Sequence, residues 1–374
     1  MRERLSLLAN VIPRSVASSV RASKRSGSAA NPPFRLGPRQ VCETTLDEFF
    51  VAASALVRAV PDPAAVEAAV AKCGRATEEL VALGVAGCNP APGNLQTVKV
   101  TPRRLGTTQF ERLDYVSAPD LPPSLRAAGL AGWEVASVRT MRHLDGPRPW
   151  VVWVHGAGQG RSDDLISLRA RHIHEDLGLN VALPVLPMHG LRRRKGQLFP
   201  SFDPLVNIAT TLRAVYEVRS VIEWVTHQQP ESIAMVGLSL GAPIAALGSQ
   251  LEPAIDAVGV VVPMLDLHGT LAHHLERGGA SGRRLAALLR SDVVRRASSV
   301  VDPMVLQPRA TPRRRVVLAA SNDRVTSVRA AQQLQERWRC DVHWHEGGHI
   351  GHLMSSDARS FIDGFLSNEL GVRS

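Results

Sequence analysis

Lysine is nearly absent from this 374-residue chain: Lys24, Lys72, Lys99 and Lys195 are the only four, so arginine carries almost all of the positive charge. Aromatic residues make up 4% of the sequence, too few to interleave with the arginines as nucleic-acid stacking platforms do. The four cysteines, Cys42, Cys73, Cys88 and Cys340, are scattered and form no C-x-x-C pair. That excludes a disulfide framework and a cysteine-rich zinc module, and suits reduced thiols in a cytoplasmic protein. No stretch approaches the roughly 18 uninterrupted apolar residues that a transmembrane helix needs.

What is present in excess is positive charge, formally +10. Residues 1–40 concentrate it: Arg2, Arg4, Arg14, Arg21, Lys24, Arg25, Arg35 and Arg39 stand against Glu3 alone. This composition predicts a disordered basic tail, although a transit peptide looks similar. The tail lacks the apolar core and small-residue cleavage site of a secretory signal. An anionic membrane surface is a partner that such a tail suits. The later clusters, Arg192-Arg193-Arg194-Lys195 and Arg313-Arg314-Arg315, have no accompanying nucleic-acid motif and read as solvated basic faces.

Residues 41–90 read as a helical extension. Leu46, Phe49, Phe50, Ala53, Leu56 and Val57 recur at amphipathic-helix spacing and predict a buried apolar face. Pro61 and Pro63 end that helix, Ala64–Leu83 predicts a second, and Gly84, Gly87, Asn89, Pro90, Pro92 and Gly93 predict a linker. Two roles are open for this extension, packing on the core or self-association into a homo-oligomer.

Beyond it, apolar runs alternate with helical segments. Strands are expected at 133–141, 150–154, 181–186, 232–236, 257–262, 315–320 and 341–345. Helices are expected at 163–177, 205–227, 240–251, 327–338 and 357–370. Alternation of this kind implies βαβ units, a mostly parallel sheet with helices on both faces, and ligand sites beyond the carboxyl ends of the strands. Residues 265–309 exceed an ordinary connection and read as a helical cap, with helices at 270–275 and 283–297 broken by Gly278, Gly279 and Gly282. That cap is expected to determine substrate choice.

The chemistry-bearing residues follow the strands. Gly237-Leu238-Ser239-Leu240-Gly241 fits G-x-S-x-G between a strand and a helix, where a sharp turn presents a serine hydroxyl as a nucleophile. His155-Gly156-Ala157-Gly158 follows an earlier strand and offers a backbone N–H, from Ala157 or a neighbouring glycine, opposite that of Leu240. Together they would form an oxyanion hole, with His155 a structural hydrogen-bonder. Asp323 follows the strand at 315–320 and is the expected acid, with Asp266 as the alternative. His349, behind Gly347 and Gly348, is the expected general base, with His352 as the alternative. His343, His345, His349 and His352 do not share one face and lack a completing Cys or paired acid. His172-x-His174-x-Asp176 sits late in a helix. Neither set predicts a metal site, and no cofactor is expected.

The strings HGAG at 155–158, GLSLG at 237–241, SNDRVTS at 321–327 and GGHIGHL at 347–353 resemble the α/β-hydrolase superfamily from about Gly132 to the C-terminus. Pro187-Met188-His189-Gly190-Leu191-Arg192-Arg193 resembles the P-x-x-G-x-R segment of some esterase-like members, including a group near hydrolase domain-containing protein 18. Ala242 stands where many esterases and prolyl-oligopeptidase-like peptidases have another glycine, and no HGGG string marks the hormone-sensitive-lipase branch. The resemblance implies an eight-stranded α/β-hydrolase domain over 96–374. It also implies a serine hydrolase acting on carboxylic esters of small-molecule or lipid-like acids. A peptidase or acyltransferase would use the same triad, and a non-catalytic binding protein could keep the fold.

Overall fold

A computed structural model of the chain describes residues 7–27, 31–57, 61–93, 95, 98–126, 128, 135–306, 312 and 314–370. The strand start expected at Trp133, the cap end expected at Arg309, and the charges at Arg2, Glu3, Arg4 and Arg313 lie outside these residues. Among the described residues, nine strands form one sheet. They are β1 (Lys99–Leu105), β2 (Thr108–Val116), β3 (Val135–Met141), β4 (Trp150–Val154), β5 (Asn180–Pro184), β6 (Ile233–Leu238), β7 (Ala257–Val261), β8 (Arg314–Ala320) and β9 (Asp341–His345). Their spatial order is β1-β2-β3-β5-β4-β6-β7-β8-β9. The stretch from β5 to β9 is parallel throughout, whereas β1, β2 and β3 pair antiparallel and join β5 antiparallel.

The central strands are apolar along their whole length because both faces are covered. Val151 and Trp153 of β4 point into one core, while Trp150, Val152 and Val154 point into the other, as the two-residue period of a strand requires. The labelled helices are α1 (Val11–Arg25), α2 (Pro38–Val57), α3 (Pro63–Cys88), α4 (Pro204–Thr226), α5 (Gly241–Leu251), α6 (Leu267–Leu275), α7 (Gly279–Leu289), α8 (Asp292–Ser298), α9 (Val328–Trp338) and α10 (Ser356–Glu369). Helices α4, α5 and α9 cover one face of the sheet. The other is covered by α10 and the short helices Asp164–Ser167 and Ala170–Glu175. The Asp203 side chain caps α4 by accepting from the N–H groups of Leu205 and Val206, with Pro204 in the first turn.

Several expectations change. The sheet has nine strands rather than eight, since β1 and β2 form a hairpin turning at Gly106 (φ 59°). Strand β1 is largely exposed, so it carries no apolar alternation to read. The helix expected at 163–177 is two short ones separated at Arg169, whose φ is 54°. Gly84 and Gly87 lie inside α3, with a kink at Gly84 (φ 61°), so the linker begins only at Asn89. In the cap, the helix expected at 283–297 is split into α7 and α8, and Gly282 is buried within α7 rather than breaking it.

The largest change concerns the N-terminus. The described part of the basic tail is not loose chain: α1 buries Val11, Ser15, Ser18 and Ser19. Ser18 Oγ donates to Asn322 Oδ1 at 2.8 Å, and Ser19 Oγ to Thr44 Oγ1 at 3.2 Å. Helix α2 also turns the opposite way from its apolar pattern. Leu46, Phe49 and Phe50 are 38%, 55% and 43% exposed, while Thr44, Glu43, Asp47 and Glu48 are buried. Among the described residues, no helix is long and apolar enough to cross a membrane.

Candidate active site

Strand β6 ends at Leu238 and α5 begins at Gly241, leaving Ser239 and Leu240 to make the turn. Ser239 has φ of 52°, in the left-handed region that side-chain-bearing residues rarely occupy. The Ser239 N–H donates to the Val261 carbonyl at 2.8 Å, and its own carbonyl accepts from the Met264 N–H at 3.1 Å. The flanking glycines are required by space. A Cβ at Gly237 would sit 2.7 Å from Ala242 Cα, and one at Gly241 would run into the carbonyl oxygens of Val154 and His155.

His349 Nε2 stands 3.1 Å from Ser239 Oγ, and its Nδ1 is 2.7 Å from Asp323 Oδ2. All three side chains are buried. Asp323 Oδ1 accepts from the N–H groups of Val325 and Thr326, and Oδ2 also accepts from the Thr326 hydroxyl. Burial alone would raise the Asp323 carboxyl. The charge of His349 and the hydrogen bonds from His349 and Thr326 outweigh it, holding Asp323 below the usual carboxylate range. Burial alone would lower the His349 imidazole, yet the charge and hydrogen bond of Asp323, with the charge of Asp47, hold it above its ordinary value.

The alternatives lie elsewhere. Asp266 caps α6, accepting from the Gly269 N–H at 2.8 Å. His352 Nδ1 donates to the His349 carbonyl, and burial followed by the charge of His349 pushes its imidazole down to about 3. His155 accepts from the Leu186 N–H at Nε2, so its Nδ1 carries the proton and donates to the Gly156 carbonyl. Burial pushes this imidazole to about 3, as a neutral structural group. Gly156 lies against the serine: a Cβ there would be 3.3 Å from Ser239 Cβ. Its N–H donates to Gln159 Oε1 at 2.7 Å. Among the described residues, no protein acceptor takes the N–H of Ala157 or Leu240.

Ser239 and His349 open onto a cavity of about 340 Å³ with a mostly apolar lining. The cap contributes Leu271 and Leu275 of α6, but Val51, Ala52 and Ala55 come from α2 and Leu7 and Arg14 from the start of the chain. The cover is therefore shared between the 265–309 insertion and the N-terminal helices.

The acids of α2 were not legible as site residues. Asp47 accepts from the backbone N–H groups of Arg324, His349 and Ile350. Glu43 Oε2 lies 2.7 Å from His345 Nε2 and accepts from the Gly348 N–H. Glu48 bridges Arg277 and Arg324 at 2.9 and 2.8 Å. The one sequence signal was the glycine string itself. Side chains at Gly347 and Gly351 would strike Glu43, and one at Gly348 would strike Asp47.

The remaining motifs have packing roles. Arg192 forks onto Glu217 in a buried ion pair, and Gly190 (φ 48°) brings its backbone against Gly160 with no room for a side chain. His343 stacks on Phe361, and His172 pairs with Asp176 and Asp363. Among the described residues, no group of three or more His, Cys, Asp or Glu side chains is arranged to hold a metal.

No family model matches the sequence. Two uncharacterized proteins of Mycobacterium tuberculosis, MT2702 and Rv2627c, are 36% identical to it over 233 residues, covering 60% of this chain. The match takes in 55% of each, so the chain spans about half the length of the curated relatives it matches. An acetyl xylan esterase from Paenibacillus sp. R4 aligns with a TM-score of 0.52 at 15% identity, over 78% of this chain and 92% of that one. A Pyrococcus furiosus esterase aligns with a TM-score of 0.48 at 13% identity, over 75% of this chain and 98% of that one. At 15% identity the likeness to the acetyl xylan esterase is one of architecture, and it agrees with the strand order and the turn at Ser239: this chain has the α/β-hydrolase fold.

Proposed function

We propose that the protein is a serine hydrolase acting on carboxylic esters, with Ser239 as nucleophile, His349 as general base and acid, and Asp323 orienting His349. The observation that carries this reading is the unbroken buried relay from Asp323 Oδ2 through both nitrogens of His349 to Ser239 Oγ. Ser239 Oγ attacks the ester carbonyl carbon as its proton passes to His349 Nε2. The carbonyl oxygen becomes an oxyanion, and the N–H groups of Leu240 and Ala157, which no protein acceptor takes among the described residues, are its proposed donors. One such donor contributes on the order of 10²–10³ in rate. Collapse of the intermediate expels the alkoxide, which takes the proton from His349 and leaves an acyl group on Ser239. Water then attacks, giving its proton to His349. The acid departs as that proton returns to Ser239.

The apolar lining of the cavity favours a hydrophobic acyl chain over a peptide, whose amide groups would need polar partners there. The segment Pro187–Arg193 supports no narrower assignment, because Gly190 and Arg192 are engaged in packing. The test is labelling by a fluorophosphonate probe, comparing native protein with Ser239→Ala. Labelling of the native protein alone is expected; equal labelling of both, or of neither, would overturn the reading.

A further inference from the structure

The loops that carry Asp323 and His349 meet on a helix that precedes the sheet in sequence. Asp47 of α2 is fully buried, and its carboxylate takes three backbone N–H donors from those two loops. Oδ2 accepts from His349 at 2.6 Å and from Arg324 at 3.1 Å, and Oδ1 accepts from Ile350 at 3.0 Å. Neighbouring contacts reinforce the same junction. Asn322, just before Asp323, exchanges hydrogen bonds with Ser18 and Thr44. Glu43 holds His345 and the Gly348 N–H, while Glu48 holds Arg324.

We propose that Asp47 is a positioning residue for the His349–Asp323 pair, clamping both loops in register with Ser239 from a helix outside the sheet. The inference rests on reading that triad as catalytic. Asp47 bonds the backbone of His349, two steps removed from any substrate atom.

The chemistry of the junction calls for a carboxylate. All three groups aimed at Asp47 are donors, and an ionised carboxylate only accepts. An amide would turn its NH₂ toward at least one N–H. The charge matters too, since Asp47 favours the imidazolium of His349. Burial first, then the charge of Asp323, lifts Asp47 itself to about 6, against the lowering effects of His349 and the backbone donors. Glu43 with Arg39 and His345, Glu48 with Arg277 and Arg324, and His352 against His349 are other charged or titratable groups at this junction. On acidification His349 thus takes up its proton first, above its ordinary value, and its clamp follows near pH 6.

The test uses the full chain, native and Asp47→Asn. Its readouts are kcat and KM for a nitrophenyl ester across pH, and the His349 ring titration by NMR. Asp47→Asn is expected to lower kcat by about 10²-fold, the scale of a small misplacement of reacting groups, with KM changed less than threefold. Its acid limb should move to lower pH and approach a slope of one, whereas the native limb approaches two. In NMR, the His349 midpoint should fall in the variant. The native slope and a native carboxyl titrating near pH 6 are read without any variant, so poor folding of Asp47→Asn leaves the idea exposed to refutation. A native limb of slope one, or a variant with native kcat and an unmoved His349 midpoint, overturns the inference. If the probe fails to label native protein while the His349 midpoint still falls in Asp47→Asn, the hydrolase reading fails and the clamp stands.

Discussion

His349 Nδ1 and Asp323 Oδ2 are 2.7 Å apart in a buried pair. The pair favours the charged imidazolium, so His349 titrates above its ordinary value near 6.5. A general base must be neutral to accept the Ser239 proton. Activity should therefore rise with pH through that raised midpoint and fall away below it. Asp323→Asn removes the charge and the tautomer-fixing acceptor, so kcat should drop about 10⁴-fold and the residual acid limb should shift to lower pH. A pH–rate profile of each form checks both. Near-native activity in Asp323→Asn together with loss in Asp266→Asn would return the acid role to Asp266.

Arg192 and Glu217 are buried together, with guanidinium–carboxylate distances of 2.5 and 2.7 Å, and Arg192 also donates to the Val185 carbonyl at 2.8 Å. Removing one member leaves an unpaired charge in the core, which costs about 3–5 kcal/mol. Arg192→Met should lower the unfolding free energy from urea titration by that amount while leaving kcat per labelled serine unchanged. Arg192→Met combined with Glu217→Leu should regain most of the loss, because two desolvated charges go together. A loss in the double variant as large as in the single one would mean that the arginine acts through its packing.

The central parallel strands were legible because burial on both faces makes them continuous apolar runs, as at Trp150–Val154 and Ala257–Val261. The placing of Ser239 and Asp323 was legible for a related reason, since each sits just past the end of such a run. His349 instead follows the more polar edge strand β9 and was legible from the glycines before it. The hairpin β1–β2 was not, because its outer strand faces solvent and its pairing depends on a partner rather than on its own pattern. Helix α2 misled more deeply. Its apolar residues predicted the buried face, yet the buried face carries Glu43, Asp47 and Glu48. Their partners are backbone N–H groups, the His345 ring and two arginine side chains, 229 to 305 residues away, and no local periodicity encodes such a relation. The composition of residues 1–40 likewise reported charge and missed the serines that α1 buries against Asn322.

The cavity beside Ser239 sets a prediction about chain length. At about 340 Å³ with an apolar lining, it should reward each methylene that it can enclose by about 0.8 kcal/mol, or roughly fourfold in kcat/KM. Specificity for a series of nitrophenyl esters should therefore climb by about that factor per carbon and then fall once the acyl chain outgrows the space. Leu271 of α6 is buried at the cavity wall, so Leu271→Trp should move the break to shorter chains without reducing turnover of the acetate. Turnover that is flat with chain length in native protein, or a break that stays in place in Leu271→Trp, would place the acyl group outside this cavity. The larger cavity of about 910 Å³, which Leu240 lines, would then be the next place to narrow by substitution.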